Sequence, residues 1–211
     1  MHMKNAIVLV VDRLGAGYLG PYGNTWIDTP SFNRLASQSL VVEFALADTI
    51  ELPSLYRSYW RGQHAASADK QTLGLPEILQ ATAVHTSLIT DDVEVAEWGR
   101  AGAFAERVVV SQAMQPVVAP TLEETELARV FAAALDWLET APEPFLLWIH
   151  ARGMQAAWDA PLEYRNHFAD EDDPVPPALA APPTKRFEPG FDPDELLGLQ
   201  QAYAGQVALL D

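Results

Sequence analysis

The sequence predicts an α/β protein with a largely parallel sheet and helices on both faces of that sheet. Apolar runs of strand length alternate along the chain with segments whose apolar residues recur at helical spacing. This alternation is typical of parallel strands that are joined by crossover helices. Hydrophobic residues make up 49% of the 211 residues, so the chain has enough apolar side chain for a sizeable core.

The predicted strands are short apolar runs. The first, at residues 6–11, is continuous and rich in β-branched residues, which is typical of a strand that is buried on both faces. The same criterion predicts four further strands, at residues 40–45, 84–90, 107–110 and 145–150.

The predicted helices fall mostly between these strands. Thr29 and Pro30 supply an N-cap and a first-turn proline for a helix that extends to residue 37. The clearest helix covers residues 123–140, because Leu127, Phe131 and Leu135 recur on one face. Further helices are predicted at residues 53–61, 75–82, 92–101 and from Asp192 onward.

An acidic, proline-rich segment interrupts this alternation. Residues 170–193 contain the acidic run Asp170–Asp173 and then seven prolines. Because proline has no backbone N–H to donate, this composition predicts an irregular loop. The helical pattern that follows reaches Asp211 without a C-cap or a helix breaker. We therefore expect residues 1–211 to be one N-terminal domain that is incomplete at its C-terminus.

Charge and cysteine content exclude several classes of function. The net charge is −16, from 29 acidic and 13 basic residues, and such a balance repels nucleic-acid phosphates and anionic lipids. We expect neither nucleic acid nor a membrane as a partner. The absence of cysteine excludes disulfides, thiolate nucleophiles and cysteine-ligated metals.

The first apolar run is too short for the core of a secretory signal. Its length predicts a cytoplasmic protein; a periplasmic or secreted protein is the alternative if the start is incomplete.

Three N-terminal segments carry a family resemblance. They are residues 5–13, 20–30 and 32–36, with the sequences NAIVLVVDR, GPYGNTWIDTP and FNRLA. Together they resemble the opening of a sulfatase, a family of the alkaline-phosphatase superfamily. The resemblance implies the superfamily fold and, for the family, metal-dependent hydrolysis of sulfuric esters.

The resemblance implies a metal ligand at Asp12, the first residue after the first predicted strand. In sulfatases this position begins a pair of aspartates that binds calcium or magnesium, and a carboxylate at a strand end suits such a hard cation. Here the second member of the pair is Arg13, whose charge opposes a dication. Two alternatives without a metal stay open: Arg13 pairs with Asp12, or Asp12 caps the adjacent loop backbone.

The resemblance places Glu51 at the nucleophile position. Residues 51–55 match the sulfatase motif Cys/Ser-x-Pro-Ser-Arg at its central Pro-Ser, with Glu51 at the first position and Leu55 at the last. The first residue of that motif becomes formylglycine, which cannot form from glutamate. A carboxylate is the nucleophile in other enzymes, and Arg57 is a candidate substitute for the missing arginine. A non-standard nucleophile is therefore an open alternative.

Two later segments resemble sulfatase motifs that stabilise charge. In residues 83–93, Asp91 stands at the lysine position, which reverses the charge that a sulfate transition state requires. His150 matches the first histidine of His-x-x-x-Pro-His, and Gln155 replaces the second. Gln155 can hydrogen-bond an anion but is no general acid. A structural role with satisfied hydrogen bonds is the alternative for His150.

These replacements together predict a sulfatase-like pseudoenzyme. The nucleophile and most of its charged neighbours are replaced at once, and catalytic groups that act as a unit lose most of the rate when one is removed. We expect a role in binding or assembly, with a protein partner or a small anionic ligand. The acidic residues Glu51 and Asp91 should disfavour sulfate esters. The alternative is an active superfamily hydrolase of sulfate or phosphate esters with a non-standard nucleophile.

Overall fold

The computed structural model describes residues 5–67, 72–99, 101–184 and 186–211. The chain divides into two compact units that alternate along the sequence. The first unit contains the chain up to Val10, Phe44–Ser111 and Val130–Ala151, and the second contains Val11–Glu43, Gln112–Arg129 and Arg152–Asp211. Each unit has a buried hydrophobic cluster of its own.

A four-stranded sheet organises the first unit. Its strands are β1 (Ala6–Val11), β2 (His85–Thr90), β3 (Glu106–Val109) and β4 (Phe145–Ala151). All four are parallel, in the order β1-β4-β2-β3. The two inner strands, β4 and β2, are buried along nearly their whole length. This arrangement confirms the predicted parallel α/β class.

The described residues also form seven α-helices. They are α1 (Pro30–Ser37), α2 (Leu52–Arg61), α3 (Leu75–Gln80), α4 (Val93–Glu97), α5 (Glu126–Glu139), α6 (Leu162–Asn166) and α7 (Pro193–Leu210). Short 3-10 helices occupy Ala16–Tyr18, Gly20–Tyr22, Ala101–Ala103, Leu122–Glu124 and Gly153–Gln155. The sequence patterns did not predict α6, since a five-residue helix is too short to show a period. None of the helices in the described ranges combines the length and the apolar character needed to cross a membrane.

The predicted strand at residues 40–45 is wrong. The structure places these residues in no helix or strand, and the side chains of Leu40 and Phe44 are each 89% exposed. The apolar composition fits a strand, but a strand forms only where a neighbour accepts its backbone hydrogen bonds. In the described sheet, no strand pairs with this segment.

The predicted helix at residues 92–101 is shorter than expected. α4 begins at Val93 and ends at Glu97, because Trp98 has an extended backbone with ψ 129°. The Trp98 ring lies 5.9 Å from the Trp60 ring in the core of the first unit. We attribute the early end of the helix to this tertiary contact, which local pattern does not reveal. Arg100, within the predicted range, lies outside the described residues.

Aromatic side chains fill the core of the first unit. Tyr56 and Trp60 on α2 are each 1% exposed, and their ring centroids lie 4.7 Å apart. Trp60 also packs edge to face on Phe104 and on Trp148 of β4. Such ring pairs add to the stabilisation from burial of apolar area, so α2 is held firmly against the sheet.

In the second unit, a buried arginine anchors the proline-rich segment. Residues 170–184 and 186–192 contain no helix or strand. Arg165 is fully buried, and its guanidinium donates to the carbonyls of Pro177 (2.6 Å) and Leu179 (2.7 Å) and, through Nη2, to that of Trp158. Carbonyls that have no ladder partner in an irregular loop are thus satisfied by a side chain.

The N-terminus of α1 is capped by a distant residue. Thr29 was the predicted cap, but its hydroxyl accepts a hydrogen bond from the N–H of Gly20 at 2.9 Å. The Asp211 carboxylate accepts instead from the N–H groups of Ser31 (2.9 Å) and Phe32 (2.8 Å). The expected chemistry is present, but it comes from the end of α7.

Candidate functional site

His150 lies near the carboxyl end of β4 and is fully buried. Its ring nitrogen Nδ1 and the hydroxyl of Tyr56 on α2 form a short hydrogen bond. The same hydroxyl accepts a hydrogen bond from Trp148 Nε1 at 3.4 Å. Because Tyr56 is itself buried in the aromatic core, this bond fixes the orientation of the imidazole ring.

Asp92 follows β2 and caps α4. Its Oδ1 accepts hydrogen bonds from the N–H groups of Glu94 (2.8 Å) and Val95 (3.2 Å). Its own N–H donates to the hydroxyl of Thr90 at 2.9 Å. The residue is 8% exposed, so local hydrogen bonds hold a nearly buried carboxylate at this edge of the sheet.

The sheet register brings Asp92 and His150 together. Thr90 in β2 lies opposite His150 in β4, so the residues that follow β2 are beside the carboxyl end of β4. A carboxylate oxygen of Asp92 and a ring nitrogen of His150 lie within 4.8 Å of one another. Since metal ions are bound at about 2 Å from each ligand atom, the two atoms are close enough to be candidate ligands of one cation.

The donor types of this pair fit a transition metal better than the calcium or magnesium implied by the sulfatase resemblance. An imidazole nitrogen with a carboxylate oxygen suits zinc and related cations, whereas calcium and magnesium take oxygen ligands. Sequence reasoning missed Asp92. The available signal was the Asp91-Asp92 pair directly after a predicted strand, where ligand sites of parallel sheets collect.

Asp12, the predicted metal ligand, belongs to the second unit and directly follows β1. Its carbonyl accepts a hydrogen bond from the N–H of Met154 at 2.9 Å. Gly153 has φ +53°, and a Cβ there would lie 2.4 Å from Val11 Cγ1 and 3.0 Å from the Asp12 carbonyl oxygen. Glycine is therefore required for this close approach of two backbone segments, which fixes the main chain at Asp12.

Glu51, at the predicted nucleophile position, is exposed and immediately precedes α2. The hydroxyl of Ser54 donates to Glu51 Oε2 at 3.3 Å and accepts from Arg57 Nη2 at 2.9 Å. Arg57, the candidate substitute for the missing arginine, is thus linked to Glu51 through Ser54. The three side chains form a hydrogen-bonded chain at the N-terminal end of α2.

Two further predicted site residues are Asp91 and Gln155. Asp91 is 2% exposed, directly after β2. Gln155 is exposed at the end of the 3-10 helix Gly153–Gln155 in the second unit. Within the first unit, the structure bonds His150 to Tyr56 and places it near Asp92, two residues that the sequence did not associate with it.

Three solved structures resemble this chain in fold. The C-terminal periplasmic domain of EptC from Escherichia coli, in complex with Zn, has a TM-score of 0.69 at 13% identity, covering 100% of this chain and 59% of that chain. Phosphonate monoester hydrolase of Agrobacterium radiobacter has a TM-score of 0.74 at 11% identity, covering 98% and 57%. BT4656, in complex with its substrate D-glucosamine-2-N,6-O-disulfate, has a TM-score of 0.56 at 16% identity, covering 82% and 40%.

The chain has the fold of the alkaline-phosphatase and sulfatase superfamily. All three neighbours belong to that superfamily, so the resemblance seen in the N-terminal segments is confirmed at the level of fold. The chain spans 59% and 57% of the length of the first two neighbours. No family model matches the sequence, and no curated protein matches it.

Proposed function

We propose that this chain is a sulfatase-like domain that binds a divalent cation and does not hydrolyse sulfuric esters. The proposed lack of sulfuric-ester hydrolysis rests on Glu51, which stands at the nucleophile position. Sulfatases attack with formylglycine supported by cationic groups, and here an exposed carboxylate stands at that position. A carboxylate is repelled by an anionic ester unless cations neutralise both.

The buried pair Asp92 and His150 supports the proposal that the chain binds a divalent cation. Tyr56 would hold the imidazole in orientation through Nδ1, and the cap of α4 would hold the Asp92 carboxylate through Oδ1. When bound, the cation supplies positive charge and Lewis acidity for a small anionic ligand. The family resemblance adds Asp12 as a ligand to be tested separately. The role that follows is binding, of such an anion or of a protein partner.

A metal titration tests the site. We expect tag-free protein to bind Zn²⁺ or Mn²⁺ more tightly than Mg²⁺ or Ca²⁺ in calorimetry, because the pair contributes a nitrogen donor. His150→Ala and Asp92→Asn should each weaken binding by at least about tenfold. Asparagine is also a good N-cap, so Asp92→Asn keeps α4 intact while it removes the charge.

The control is His64→Ala, in the same unit, whose side chain is 69% exposed. Zn²⁺ binding that is unchanged in both site variants, or reduced equally by His64→Ala, would contradict the proposed metal site. Asp12→Asn is titrated alongside; a loss there supports the ligand that the resemblance implies.

A turnover assay tests the absence of sulfatase chemistry. The protein is incubated with aryl sulfate, aryl phosphate and aryl phosphonate monoesters, with Ca²⁺, Mg²⁺, Mn²⁺ or Zn²⁺ added. We expect no hydrolysis above that of buffer, and no difference between the protein and Glu51→Gln, because formylglycine cannot form from the glutamate at the nucleophile position.

The second candidate function is hydrolysis of phosphate or sulfate esters with Glu51 as the nucleophile. It is favoured by the Ser54–Arg57 chain, which places a cationic side chain near the carboxylate. That function predicts metal-dependent turnover that Glu51→Gln abolishes. Such a result in the same assay would replace the non-hydrolytic proposal.

A further inference from the structure

A cavity of about 170 Å³ lies between the first turns of α2 and α4 in the first unit. It is lined by Leu52, Pro53, Tyr56, Glu94, Val95 and Trp98. Three of these side chains are aliphatic or cyclic and two are aromatic, while Glu94 is the one charged group among them. The lining therefore offers apolar contact with a single negative charge.

The aromatic part of the lining is held in place by the core. The Tyr56 ring packs against Trp60 at 4.7 Å and Trp148 at 6.0 Å. The Trp98 ring packs against Trp60 at 5.9 Å. Both rings are thus fixed before any ligand arrives, so a ligand would not bear the entropic cost of ordering them.

The charged group in the described lining is the carboxylate of Glu94 on α4. α4 has the sequence VEVAE and contains no basic residue. Arg57 and Arg107 keep their charge, because each donates to a neutral oxygen, that of the Ser54 hydroxyl and that of the Ala96 carbonyl. The lining itself therefore carries a single negative charge, which attracts a cation.

We propose that this cavity binds a small organic cation, such as a methylated or quaternary ammonium group. Trp98, which is half-buried in the lining, attracts such a cation through its ring quadrupole, and Glu94 supplies the opposite charge. Leu52, Pro53 and Val95 contact its apolar surface. The inference uses neither Asp92 nor His150 as a ligand, and its test needs no metal ion, so its outcome is distinguishable from that of the metal titration.

The test uses tetramethylammonium chloride as the probe, with tert-butanol as a neutral probe of similar shape. Binding is followed by NMR through the indole N–H signal of Trp98, with sodium chloride adjusted to constant ionic strength. We expect tetramethylammonium to shift that signal saturably and to bind more tightly than tert-butanol. Glu94→Gln, which removes the charge of an exposed carboxylate, should weaken binding by about 1.5- to 5-fold.

The matched control is Glu97→Gln, which removes an equal charge from the same helix at an exposed residue outside the cavity lining. It should leave the affinity nearly unchanged. A second variant, Trp98→Leu, should weaken binding measured on the backbone signals of α4, with its fold checked by thermal unfolding. No saturable shift, equal affinity for tert-butanol, or equal effects of Glu94→Gln and Glu97→Gln would overturn the proposal.

Discussion

Asp159 is a carboxylate buried within the second unit, at 4% exposure. Its Oδ2 accepts from the N–H of Glu126 at 2.6 Å, and its Oδ1 accepts from Gln206 Nε2 at 3.3 Å. Burial raises the pKa of Asp159 above the ordinary aspartate value, and these two hydrogen bonds act in the opposite direction. The folded state therefore binds this proton more tightly than the unfolded state does.

This pKa direction fixes how stability depends on pH. Because the folded-state pKa of Asp159 lies above the unfolded one, the free energy of unfolding falls as pH rises from the ordinary aspartate range through the raised value. In the Asp159→Asn variant, the free energy of unfolding should not show this decrease with rising pH, although the variant is less stable than the original protein at every pH. Urea unfolding of both proteins at several pH values between 3 and 7 measures the difference; parallel curves would refute this role.

Only part of the candidate site could be identified from the sequence. His150 was singled out from its motif, and its strand was predicted correctly. Its partner Tyr56 lies 94 residues away, and its neighbour Asp92 is adjacent only through the register of β2 and β4. Local sequence patterns do not reveal which distant residues come together, so these site residues could be identified only from the folded structure.

Among the elements, α7 and α6 pack closely at Gly205. A Cβ at Gly205 would lie 3.0 Å from Arg165 Cγ and 3.1 Å from the backbone nitrogen of Arg165. Arg165 cannot easily yield, since its guanidinium is bonded to the carbonyls of the proline-rich segment. The glycine thus permits the close contact through which α6 anchors that segment.

Gly205→Ala should destabilise the protein. Alanine gains about 1 kcal/mol in a helix interior, but overpacking against backbone costs about 1–3 kcal/mol, so we expect a net loss of about 1 kcal/mol. Urea unfolding measures it. The control is Gly17→Ala, because a Cβ at Gly17 meets no atom within 4 Å. Unchanged or increased stability of Gly205→Ala would show that the contact relaxes without cost.

Sequence patterns predicted where helices and strands form better than which strands pair with one another. β1, α1 and α2 were predicted within a residue of their bounds, because period and proline position are local signals. The segment at residues 40–45 has a strand-like composition but lacks a pairing strand. Pairing partners are a tertiary property, and composition does not encode them.

The whole sheet has two edges with different chemistry. β3 has charged residues at Glu106 and Arg107, a common protection against edge-to-edge pairing. β1 has no charged residue, and its Ile7 and Leu9 are 53% and 44% exposed. β1 therefore lacks the charged side chains that commonly protect an edge strand from pairing with another strand.

We predict that two copies of the chain associate through β1 at high concentration and that Ile7→Lys reduces this self-association, because charge on an edge strand opposes pairing. Static light scattering over a range of concentrations gives the apparent mass. Val175→Lys is the matched control, since it adds the same charge at an 88% exposed residue in the second unit. Equal reductions in both variants would indicate a general charge effect, and no reduction would argue against association through β1.

The cap of α1 by Asp211 has a consequence for synthesis on the ribosome. The hydrogen-bonded residues Ser31 and Asp211 are 180 positions apart, and α7 also supplies Ala204 and Val207 to the cluster with Leu19 and Ile27. During translation, α1 therefore emerges long before its cap and its core partners exist. The second unit cannot finish folding until α7 has been made, and its apolar N-terminal residues stay accessible to chaperones until then.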